Sequence, residues 1–323
     1  MFTLMALPLA MTFYLSVRSC APVMETVTVQ QSGPFGTQEV ITQQAKVGPD
    51  GQVLAHCSFV GAAYYRKVLG LDAAADPPAG GPPDAGATPG PPARPPNEFL
   101  VALRFTLIYI AGTTPFVLGL GFALALGAQR LTQRLKAVFI TASLLPFIIT
   151  PVVGALSIKW LFRDDGLVPA LLANVGVNLH WMAQAWSAQL LIVLYGIWHV
   201  VPFAFIVLYA GLQSVPQDSL EAAAIDGASS LQKLRFVTIP HLMPLFVFIT
   251  LIQLMDAYRV FEPVLVLTQG AFTTSVQYLT YEILLLENNP YKASAAAVLT
   301  VMGILVLLVP LLVRTWREQR GGA

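Results

Sequence analysis

The sequence predicts an all-α integral membrane protein of about six transmembrane helices, with a small outer insertion of β-strand and a Pro-rich linker. Three observations predict it. Of 323 residues, 56% are hydrophobic and 11% charged, against roughly 25% charged in soluble domains. Mean hydropathy is +0.68, so the apolar surface exceeds what one core can bury and a bilayer is its natural solvent. The apolar residues also gather into stretches near the ~20 residues needed to cross a membrane, at roughly 1–17, 98–127, 137–160, 188–211, 241–268 and 294–313. A formal net charge of +1 gives no electrostatic footprint for nucleic acid. The two cysteines form neither a disulfide framework nor a metal-binding spacing.

The first segment, 1–17, is short. It has no basic start and no small-x-small cleavage site, so it reads as a membrane helix with a clipped inner end rather than a signal peptide. The loop 18–97 follows. Residues 23–57 alternate as strands do, in Glu25-Thr26-Val27-Thr28-Val29 and Glu39-Val40-Ile41-Thr42, with turn signals at Ser32-Gly33-Pro34 and Gly48-Pro49-Asp50-Gly51. This predicts a β-meander. Residues 59–71 form a short amphipathic segment, and 72–97 a linker of Pro, Ala and Gly. Cys20 and Cys57 flank the strands in a compartment that permits disulfides. A Cys20–Cys57 bond and two unpaired thiols both fit the sequence.

Orientation follows from basic residues in the short loops. Arg130, Arg134, Lys136, Lys233, Arg235, Arg314, Arg317 and Arg320 lie on one side, and Lys159, Arg163 and Lys292 on the other. The balance puts both termini in the cytoplasm, leaves 314–323 as a cytoplasmic tail, and places the long loop outside. Prolines 115, 146, 151, 202, 263 and 310 fall within spans, and each removes a backbone donor. They fit ordinary membrane-helix irregularity, or broken helices lining a cavity.

The most informative stretch is cytoplasmic, 214–240. Pro216 suits a first helical turn, and Asp218 puts negative charge near the helix's positive end. A short Ala-rich helix follows, and Gly227 ends it or lets another backbone come close. A second short helix, about 229–236, carries Lys233 and Arg235. Pro240 then restarts a helix at the membrane surface. Two short helices meeting near a right angle make a knob suited to a groove on another protein.

Glu221-Ala222-Ala223, three residues, Gly227, nine residues, then Val237-Thr238-Ile239-Pro240 resembles the EAA loop of binding-protein-dependent ABC importer permeases. Leu144-Leu145-Pro146, Pro151 and Trp160-Leu161-Phe162 resemble the third-span region of sugar permeases. Phe261-Glu262-Pro263 through Thr268-Gln269-Gly270 is similar to the F-D…L-T-x-G-G-P stretch of the carbohydrate-uptake type, with Glu262 for Asp and Ala271-Phe272 for Gly-Pro. The overall pattern most resembles the large, maltose-type permease that pairs with a second, non-identical permease. The resemblance implies a bacterial inner-membrane bundle. It implies as partners a second homologous permease, two ATP-binding cassette subunits and a periplasmic solute-binding protein. It implies no cofactor on this chain, with ATP and Mg on the partner ATPase. The matched coupling positions are Glu221, Ala222, Ala223, Asp226, Gly227 and Pro240. In that family Glu221 would pair with a basic group of the ATPase, while Ala222, Ala223 and Gly227 would allow close packing.

Ionisable groups at bilayer depth usually face a cavity or a partner. Span five holds Gln253, Asp256, Arg259 and Glu262. Spacings of three make an alternating charge ladder, read either as a buried structural ion pair or as part of a solute path. Span four offers Tyr195, Trp198, His199 and Tyr209, and aromatic faces with hydrogen-bonding groups suit sugars. The substrate-path candidates are Tyr195, His199, Gln253, Arg259 and Glu262, and no catalytic or metal residue is read. An ion-driven secondary transporter is the alternative, and it predicts matching interrupted repeats. The sequence shows no convincing repeat. A membrane enzyme would need clustered acidic or His residues near one membrane face, and the outer loop has no such cluster. No Gly-x-x-x-x-Gly-Lys-Ser/Thr loop is present.

Overall fold

The chain is described from a computed structural model, covering residues 2–22, 24–33, 36–46, 55–71, 97–174, 176 and 180–321. The turn expected at Pro34, the turn at 48–51 and the Pro-rich linker up to 96 lie outside those residues. In order, the elements are α1 (Phe2–Ser16), β1 (Arg18–Pro22), β2 (Met24–Gly33), β3 (Gly36–Ala45), β4 (Ala55–Phe59), α2 (Ala63–Val68), α3 (Glu98–Gln129), α4 (Gln133–Ile148), α5 (Pro151–Phe162), α6 (Leu167–Ala173), α7 (Ala185–Gln213), α8 (Gln217–Ile225), α9 (Ser230–Lys233), α10 (Ile239–Tyr258), α11 (Val276–Leu285) and α12 (Pro290–Gly321). Two five-residue π-helical turns occur, at Leu234–Thr238 and Val264–Thr268. The chain divides into two compact units: residues up to 97 with 283–299, and 98–282 with 300 onward.

In the first unit the strands do not form the expected meander. β1 pairs antiparallel with β4, and β2 with β3, as two separate two-stranded ladders. The β1–β4 register puts Cys20 opposite Cys57, and a disulfide joins them. That cross-link commits β4 to β1, so β2 and β3 close on each other as a hairpin. The Val60 and Gly61 N–H groups both donate to the Val17 carbonyl, at 2.9 and 3.2 Å. α2 lies within the segment expected at 59–71. The hydroxyls of Ser16 and Tyr65 are 2.6 Å apart, and Tyr64 donates to Ser19 at 2.9 Å.

Among the described residues, four helices are long and apolar enough to cross a bilayer: α3, α7, the run Ser230–Tyr258 and Pro290–Val313. The third expected span is instead α4 followed by the run Pro151–Ala173 that holds α5 and α6, the two bent by 96°. Pro151 has no N–H to carry the helix on, and Thr150 takes an extended ψ of 142°. α1, with 15 residues, is shorter than a full span. The fifth expected span stops at Tyr258 rather than 268, because Pro263 lacks the N–H that would bond the Arg259 carbonyl. α12 continues to Gly321, so the expected tail is helical up to that residue.

The second unit is built by close approach. Cβ atoms on α3 and α7 would collide without glycine: one added at Gly121 would lie 2.7 Å from the Ala204 Cβ and 3.1 Å from its backbone. One added at Gly196 would strike the Tyr109 hydroxyl. Association of apolar helices in lipid depends on such small-residue contacts, since burial from water adds little there. Two buried clusters result. One is centred on Tyr109, Tyr195 and Tyr258, the other on Val117, Phe205, Leu208 and Ile249.

Candidate functional site

Tyr195 and His199 stand four residues apart on α7, so both point from one face. Their rings stack at 5.7 Å with 8° between planes. Each meets the break between α4 and α5. The Tyr195 hydroxyl donates to the Pro151 carbonyl at 2.7 Å, and His199 Nδ1 donates to the Pro146 carbonyl at 2.9 Å. The last carbonyls of a helix have no partner inside it, and hydrocarbon supplies no water to take their place. His199 thus caps an orphaned carbonyl at the end of α4. The closely spaced Pro146 and Pro151 mark a broken helix that lines a cavity.

α10 supplies the opposite wall. Gln253 is 3% exposed. It donates through Nε2 to Thr113 at 3.3 Å, and Thr113 in turn donates to the Tyr109 carbonyl at 2.8 Å. No group reaches Gln253 Oε1, although it is buried. Asp256 follows one turn on, and Arg259 and Glu262 lie in the connection beyond the helix. These groups border one cavity of about 330 Å³, together with Tyr109, Phe147 and Phe203. That volume is in the range of small-molecule sites, ~300–1,000 Å³.

The structure therefore brings all five substrate-path candidates, Tyr195, His199, Gln253, Arg259 and Glu262, onto one lining. It does not form the expected charge ladder. Among the described residues Asp256, Arg259 and Glu262 make no ion pair within 4.0 Å. The reason is local: Arg259 leaves helical geometry at φ −97°, ψ 20°, so a spacing of three no longer stacks the groups. Trp198 lies beside Tyr195, with ring centroids 6.1 Å apart. Tyr209 belongs to another place, its ring 5.9 Å from the Lys136 ammonium. Tyr109 and Thr113 were not expected. They come from α3, and nothing in their local sequence announces Gln253 as a partner.

The connection after Glu262 is also held from afar. Lys159 on α5 donates to the Val266 carbonyl at 2.8 Å. Phe272 takes φ 60°, which proline, locked near −65°, cannot adopt. The departure from Gly-Pro at this point is one that the backbone conformation requires.

The loop at 214–240 is built from local bonds. α8 ends in a Schellman motif: the Gly227 N–H donates to the Ala224 carbonyl at 3.1 Å, and the Ala228 N–H to the Ala223 carbonyl at 2.9 Å. Gly227 holds φ +79°, and nothing lies within 4 Å of where its Cβ would be. Ser229 then opens α9 with a capping box to Gln232. The expected second helix of the knob is not separate. α9 passes through the π turn at Leu234–Thr238 into α10, and the Ile239 N–H reaches back to Leu234. Pro240 therefore restarts nothing. It sits inside a continuous helix just past the π turn, the kind of local adjustment by which membrane helices absorb a proline. Glu221, Ala222, Asp226, Gly227 and Pro240 are exposed and Ala223 half-buried. Ile225, Leu231 and Phe236 are 87%, 73% and 69% exposed.

The second unit is thus an apolar helical bundle whose cavity sets a few polar groups into a mostly apolar lining, an arrangement of the kind that holds small molecules. The family described as the binding-protein-dependent transport system inner membrane component matches residues 115–320, and the chain belongs to it. It is a permease subunit of an ABC importer, a multi-pass inner-membrane protein that is not itself the catalytic subunit. A probable ABC transporter permease protein, y4oQ of Sinorhizobium fredii, is 30% identical over 234 residues, 70% of this chain and 74% of that one. The trehalose/maltose transport system permease protein MalF of Thermococcus litoralis is 34% identical over 188 residues, 56% of this chain and 61% of that one. A solved bacterial ABC transporter for import of the acidic polysaccharide alginate shares the fold. Its TM-score is 0.63 at 22% identity, over 68% of this chain and 79% of its own.

Proposed function

We propose that the chain forms part of the translocation path for a sugar or sugar-like solute, beside a second homologous permease. A periplasmic binding protein delivers the solute, and two ATP-binding cassette subunits drive the loop at 214–240. Both termini lie in the cytoplasm. ATP and Mg stay on the partner ATPase, and this chain binds no nucleotide or other cofactor. The observation that carries the reading is the convergence of Tyr195, His199, Gln253, Arg259 and Glu262 on one cavity bordered by a proline-broken helix. The relatives named for trehalose and maltose transport support the solute class. The exposed apolar residues around Gly227 support docking of another protein. Nucleotide binding to the partner and the cavity's access equilibrium are then linked, each biasing the other.

Gly227 offers the test. A side chain there meets nothing within this chain, so Gly227→Phe costs the isolated chain only the left-handed backbone strain, about 1–2 kcal/mol. ATP-driven uptake is expected to fall at least about tenfold, the equivalent of ~1.4 kcal/mol of lost coupling, and the ATPase to co-purify poorly. Uptake by the purified chain without any ATPase would overturn the proposal and favour the ion-driven alternative.

A further inference from the structure

If the solute is a sugar, as proposed above, its charge is decided by the hydrogen-bond polarity of the cavity. A tyrosine hydroxyl has one proton, and that of Tyr195 is committed to the Pro151 carbonyl at 2.7 Å. Toward the cavity its oxygen offers only lone pairs. A carbonyl only accepts, so the proton facing Pro146 sits on His199 Nδ1, and in the neutral form of the ring Nε2 is then an acceptor. Gln253 gives one of its two amide protons to Thr113, and its Oε1 is buried without a partner. Asp256 and Glu262 add carboxylates that no described cation neutralises within 4.0 Å. Against these acceptors the lining sets the Arg259 guanidinium, the Tyr109 hydroxyl and the second Gln253 amide proton as donors.

We propose that this cavity passes a polyhydroxylated solute bearing no negative charge and rejects its anionic counterparts. Hydroxyl groups supply the protons that His199 Nε2, the Tyr195 oxygen and the carboxylates of Asp256 and Glu262 accept. A carboxylate or phosphate would set lone pairs against lone pairs, and would enter beside two carboxylates offset by one guanidinium. At membrane depth like charges are poorly screened, and a polar group left unpaired there is costly. An amine in place of a hydroxyl keeps the donor pattern and is accepted.

The experiment uses the assembled transporter in nanodiscs, nucleotide-free and without its binding protein, so that the cavity alone selects. Equilibrium binding is measured for trehalose and maltose and for the 6-carboxylate and 6-amino analogues of each. The neutral and amino forms are expected to bind, and the carboxylates at least about tenfold more weakly, as one unmet buried contact implies. Glu262→Gln is expected to recover carboxylate binding, and His199→Phe to weaken the neutral sugars about tenfold. A carboxylate analogue that binds as tightly as its neutral parent overturns this inference and leaves the sugar reading standing. So does an unchanged neutral affinity in His199→Phe. Absence of binding by every saccharide overturns the sugar reading itself, and this inference with it.

Discussion

The loop at 214–240 and the cavity are built on different length scales. In the loop the partners are close in sequence: Ser229 and Gln232 cap each other across three residues, and Gly227 bonds three residues back to Ala224. In the cavity the partners are remote. Tyr195 reaches Pro151 across 44 positions, His199 reaches Pro146 across 53, and Gln253 reaches Thr113 across 140. The loop, proposed above as the docking surface, thus carries its shape in its own residues. The cavity, proposed above as the solute path, exists only when α3, α4, α5, α7 and α10 are packed. Damage to packing should therefore empty the cavity and spare the loop, while damage to a cap should do the reverse.

The strongest way to break this contrast is Gly121→Val. Its side chain would press on the Ala204 backbone, and overpacking of this kind costs about 1–3 kcal/mol or more. Thermal unfolding in detergent should shift down by that amount, and solute binding should be lost. Tyr195→Phe is milder. It removes the donor to Pro151 without changing volume, worth about 0.6–1.7 kcal/mol for a hydrogen bond within a membrane protein. Uptake should slow while the ATPase still co-purifies; an unaffected uptake rate would separate the helix break from function. Ser229→Ala is the smallest, about 0.5–1 kcal/mol from the lost cap. It should loosen ATPase association and leave binding of trehalose by the nucleotide-free complex unchanged. If cavity binding fell instead, the two regions would not be independent.

The same difference of scale explains what was legible in the sequence. The Gly227 turn and the apolar spans were legible because a left-handed glycine and a run of apolar residues act locally. The polar residues of α7 and α10 were legible as a set, since charge at membrane depth demands a use. The charge ladder failed because helical spacing was assumed to run through Arg259, whereas Pro263 ends it from four residues downstream. The separate second helix of the knob failed because proline usually begins or breaks a helix, and Pro240 is instead absorbed by a π turn. Thr113 and Tyr109 were illegible altogether, because only the packed bundle brings α3 to Gln253. The meander failed for a related reason. Alternation predicts strands but not which strand pairs with which, and the Cys20–Cys57 bond decides that.

The π turn at Leu234–Thr238 has a mechanical consequence. Because the helix does not stop at Pro240, the 29 residues from Ser230 to Tyr258 form a single rod about 43 Å long at 1.5 Å per residue. One end carries Leu231 and Phe236, bare to the outside of the bundle; near the other stand Gln253 and Asp256. Under the proposed function, a push delivered at the first end travels to the residues bordering the cavity along one unbroken helix rather than through a loop.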